Sequence, residues 1–151
     1  MIGLFLALAG LGLGIAVLVV VWIVVHKGLP PGRHGVLSLP ERIREYLTEL
    51  ARRRGTITYR DLAKALEVQP PNTIHQVADA LEVLIQENHG NGAPFLAAMV
   101  VSKVRNGLPA PAFFYFALSL GRFKGSDTGP ETQTYHAREL KSAWDYWGSS
   151  P

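Results

Sequence analysis

Histidine and carboxylate side chains hold most of the chemistry this sequence could offer. There are five histidines: His26, His34, His75, His89 and His136. No two stand at the spacing that sets a pair of imidazoles on one helix face for a metal. His75 and Asp79 are four apart, the spacing at which a carboxylate orients a general base on a helix. On a polar helix face the same pair is simply two solvated side chains, and that is the expectation. The chain has no cysteine, which excludes disulfides, thiolate metal sites and cysteine nucleophiles. Gly90-Asn91-Gly92 lacks the lysine and the following helix of a phosphate loop. No Gly-x-Ser-x-Gly elbow occurs. The expectation is a non-enzyme with no catalytic residues, no metal and no cofactor.

The elements that would carry these side chains follow from spacing. Pro40 suits the first turn of a helix whose inner face is Ile43, Tyr46, Leu47 and Leu50, ended by Gly55. Thr58 reads as an N-cap with Asp61 three residues on, and Tyr59, Leu62, Ala63 and Leu66 form the next face. Pro70 and Pro71 break the chain. Asn72 or Thr73 opens a third helix to Asn88, with Ile74, Val77, Ala78, Leu81, Leu84 and Ile85 inward. His89 to Pro94 reads as a loop, and Phe95 to Val101 as a buried strand. Asn106-Gly107 predicts a tight turn. A helix follows from Phe113 to Leu120, then a surface loop, Gly125 to Pro130. A last helix aligns Leu140, Ala143, Trp144 and Trp147.

Upstream of all this, Ile2 to Val25 carries no charged side chain. As a helix it would be about 36 Å long at 1.5 Å per residue, enough to cross a hydrocarbon core of about 30 Å. A cleaved signal peptide needs a charged start and a shorter apolar run, so a retained anchor over residues 1–26 is expected. Residues 27–35, with Pro30 and Pro31, read as a short stiff linker. Residues 36–151 read as one domain. Basic residues follow the span and none precedes it, which predicts the N-terminus outside and the domain in the cytoplasm of a bacterial inner membrane. Trp22 fits the inner headgroup level. Gly3, Ala7, Gly10 and Gly14 line one stripe, where small side chains let a neighbouring membrane helix approach.

Three helices, a strand and a turn follow the order of a winged helix. Thr56-Ile57-Thr58-Tyr59-Arg60-Asp61-Leu62-Ala63 resembles the opening of the alkylguanine-DNA alkyltransferase winged-helix domain. Without cysteine, that family's alkyl transfer is chemically excluded. The chain also resembles uncharacterised bacterial winged-helix-like proteins. The likeness rests on that ITY-x-x-LA start, the apolar run Pro94 to Lys103, Gly107-Leu108-Pro109 leading to Phe113-Phe114, and the terminal Trp helix. That resemblance implies a mainly α (α+β) domain and no particular activity. Ala112 stands where the pattern has glycine.

The charge map bears on what such a domain would bind. The chain carries 15 Lys and Arg against 12 Asp and Glu. From His26 to Arg54 seven basic residues face three Glu; from Gly55 onward eight face nine acids. The third helix, which would enter a DNA groove, has no Lys or Arg but has Asp79, Glu82 and Glu87. Phosphate contacts supply most non-specific DNA affinity, so nucleic acid is disfavoured. Arg52, Arg53 and Arg54, with Lys27 and Arg33, are candidates for anionic lipid headgroups or a partner. Phe113, Phe116, Ala117 and Leu120 would face the core, leaving Phe114 and Tyr115 outward. With Trp144 and Trp147 they are candidate partner contacts. The expected function is a single-span accessory subunit docked to membrane protein subunits of a larger complex, respiratory or photosynthetic. A membrane-tethered DNA-binding regulator and a membrane-surface enzyme are the alternatives.

Overall fold

The computed structural model describes residues 36–149. The expected span, its stripe of Gly3, Ala7, Gly10 and Gly14, and Trp22, Lys27 and Arg33 lie outside the described residues. Among the described residues no helix is long and apolar enough to cross a membrane. Residues 37–149 belong to one compact, mainly α unit.

Five helices carry it: α1 (Leu39–Arg52), α2 (Tyr59–Ala65), α3 (Thr73–Gly90), α4 (Pro111–Ser119) and α5 (Glu131–Trp147). Two short strands, β1 (Ile57–Thr58) and β2 (Val100–Val101), pair in parallel, Ile57 opposite Val100. The helix starts have local causes. Glu41 accepts hydrogen bonds from the Ser38 backbone N–H at 2.8 Å and its hydroxyl at 2.7 Å, fastening the start of α1. Thr58 caps α2, its hydroxyl accepting the Asp61 N–H at 3.1 Å, as the spacing predicts. α1 does not end on Gly55: the left-handed residue is Arg54, at φ 51°.

α1, α3 and α5 surround a buried segment, Phe95 to Val101. The expected seven-residue strand is a correction. Leu96–Met99 is a 3-10 helix and only Val100 and Val101 are strand. A continuous apolar run requires burial, not extended backbone. The Asn106-Gly107 turn forms, at φ 53° and 81°. It closes a single antiparallel bridge, Ser102 to Leu108. Ile74, expected inward, is 46% exposed. It lies in the first turn of α3, short of the segment that buries Val77, Leu81, Leu84 and Ile85.

Candidate functional site

An irregular segment in a core must find partners for its backbone polar groups. Here side chains supply them. Glu139 accepts the Phe95 N–H at 2.8 Å, and the Asn88 carbonyl oxygen accepts the Leu96 N–H at 3.0 Å. Arg122 donates to the Ala93 carbonyl at 2.7 Å and to Glu139 at 2.9 Å, its guanidinium 4.1 Å from the Phe95 ring centroid. His136 Nε2 bonds the Ala98 carbonyl at 2.8 Å, and the Trp147 indole N–H donates to the Pro94 carbonyl at 2.9 Å. Burial pushes the His136 imidazole below its usual range, against the opposing pull of the Ala98 bond.

This polar clamp was not singled out by sequence reasoning. Its members look like ordinary polar residues of helices and a loop. The available signal was indirect: a buried Phe95–Val101 that is not fully paired in a sheet needs such donors and acceptors nearby. The arrangement holds backbone in place. Glu139 accepts from both Phe95 and Arg122 through a single oxygen, Oε1.

The histidine–carboxylate pair of the sequence analysis lies on the surface. His75 and Asp79 are exposed on α3 and share no hydrogen bond. Gln76 bends back to the Gln69 and Pro71 carbonyls, at 2.9 and 2.7 Å, and Glu87 pairs with Arg44. Of the two cations near the turn, Arg105 donates to the Asp127 carbonyl and lies over the Phe114 ring, while Lys103 is exposed. Among the described residues no cluster of three His, Asp or Glu could hold a metal ion.

Arg52 and Arg53 both pair with Glu49, at 2.7 and 3.2 Å. Arg54 pairs with Asp145 at 2.7 Å and sits over the Trp144 ring. Hydrogen bonds from Lys141 and Arg54 hold the Asp145 carboxyl below the usual range. Any lipid or partner contact by these arginines therefore competes with partners inside the chain.

The aromatic candidates divide. Phe114, expected outward, is fully buried, 5.2 Å from Phe113 and 5.6 Å from Phe123 in edge and tilted contacts. Its outward placement is corrected. α4 sinks one side deeper than its spacing suggests, because the loop carrying Phe123 and α5 carrying Tyr135 close over it. Phe116 and Leu120 are only partly buried. Tyr115 stays 66% exposed and Leu118, one turn on, 49%. The Trp144 indole N–H donates to the Gly55 carbonyl at 2.9 Å, so both tryptophans, Trp144 and Trp147, fasten α5 to the rest of the unit. The chain matches no family model, no curated protein and no solved structure.

Proposed function

We propose that this chain is a non-catalytic, single-span accessory subunit of a larger bacterial inner-membrane assembly, with its N-terminus outside and its helical unit cytoplasmic. The observation that carries the reading is the uncharged run Ile2 to Val25, followed by basic residues and preceded by none. Gly3, Ala7, Gly10 and Gly14 form the docking stripe for membrane protein subunits. Tyr115 and Leu118 present exposed apolar surface to a neighbouring subunit, since Tyr is a favoured interface anchor. The Arg52–Arg54 run is the candidate contact with anionic headgroups.

The finer fold reading is winged-helix-like. It is supported by the order of α1, α2 and α3, the short β1 and β2, and the turn closed by Ser102 and Leu108. A protein-binding role suits it better than DNA binding, because α3 has no Lys or Arg and its Gln76 is engaged within the chain. The test is extraction of membranes with carbonate, then purification of the tagged full chain in mild detergent. Retention in the membrane and recovery with another membrane protein are expected. Release by carbonate, or recovery only as a monomer, would overturn the proposal.

A further inference from the structure

We propose that the cleft between the Gly121–Lys124 turn and the first half of α5 binds a phosphate group, carried either by a small soluble molecule or by a lipid headgroup. The inference is independent of the subunit role above. The cleft is an open groove with about 540 Å³ of space, enough for a phosphate group. Arg122, Lys124 and Arg138 line it, over a floor that includes Phe123 and Tyr135.

Three observations favour an anion. Arg122 is fixed in place by the Ala93 carbonyl and Glu139, so orienting its remaining donors costs little entropy. Lys124 and Arg138 make no ion pair among the described residues, and Arg138 lies 5.7 Å from the Tyr135 ring centroid. The lining has one acid, Glu131, whose Oε2 lies near Gly129, against three cations. The wall facing the cleft is therefore net positive.

The second line of support is a stranded hydroxyl. Tyr135 is 4% exposed and its hydroxyl has no hydrogen-bond partner. Burial and the Glu139 charge push it above the usual phenol range, with Arg122 and Arg138 pulling the other way. A buried donor without a partner is costly, and a side-chain shift that opened it to the cleft would let a ligand oxygen satisfy it. Guanidinium and ammonium donors spread around one space suit a tetrahedral anion with several acceptor oxygens.

The experiment uses the isotope-labelled full chain in dodecyl maltoside micelles, which carry no phosphate. Inorganic phosphate is titrated at ionic strength held constant with sodium chloride, while the amide signals of Lys124, Thr134 and Arg138 are followed. A second arm omits inorganic phosphate and titrates phosphatidylglycerol into the same micelles. Saturable shifts in the first arm indicate a soluble source, and shifts of the same amides in the second a headgroup. Loss of two charge-assisted contacts should weaken binding about tenfold or more in K124Q/R138Q. Both replaced side chains are exposed, so the fold of that variant is expected to persist. The single variants K124Q and R138Q, each weaker than wild type, provide a second check. Absence of saturable shifts in both arms would overturn the proposal, as would equal binding by all the variants.

Discussion

Glu139 shows how much depends on one carboxylate. It is the shared acceptor for the Phe95 N–H and for Arg122, and its side chain is only 8% exposed. Glu139→Ala leaves a buried amide and a largely buried guanidinium without their acceptor. The expected cost is about 3 kcal/mol in urea unfolding of the fragment 36–151, measured as a midpoint shift. His136 gives a pH signature. Its folded pKa lies below the ordinary 6.5, so as pH falls the unfolded chain takes up the proton first. Its contribution is complete above 6.5 and is lost as pH drops from there through the folded value. Urea midpoints at pH 7.5 and 5.5 should therefore differ, and His136→Gln, which can still donate to Ala98, should narrow the difference. Thr58→Ala should cost about 1 kcal/mol through the lost cap of α2.

At the scale of elements, local signals and buried packing were unequally legible. The five helices follow apolar spacing, and the Thr58 cap and the Asn106-Gly107 turn follow residue types with a single backbone preference. Phe95 to Val101 was legible as buried but not as 3-10 helix, since an unbroken apolar run has no period to distinguish backbone forms. Asn88, Arg122, His136 and Glu139 were not legible as a set. Their burial depends on where that segment passes, which only the tertiary path decides. Phe114 was misplaced because two turns of apolar helix offer several possible inner faces. Leu96→Ala, at the fully buried centre, should cost about 2–5 kcal/mol by leaving a cavity. Tyr115→Ala with Leu118→Ala should leave the unfolding midpoint of the fragment nearly unchanged yet reduce recovery of the partner with the full chain. Equal partner recovery would remove that face from the proposed interface.

For the whole molecule, the described unit contains its own core, its own ion pairs and a polar clamp committed to holding backbone. His75 and Asp79 are exposed and share no hydrogen bond, while Glu139 and His136 hold the backbone of the Phe95–Val101 segment. On the proposed reading the chain acts through its surfaces, held at a membrane by the uncharged run Ile2 to Val25. A photo-activated cross-linker placed at Ala7, on the small stripe, or at Phe5, on the opposite side of an ideal helix, tests this most directly in intact membranes. The account predicts a discrete adduct with another membrane protein from position 7 and little from position 5. No adduct from either position, with the chain released by carbonate, would contradict it.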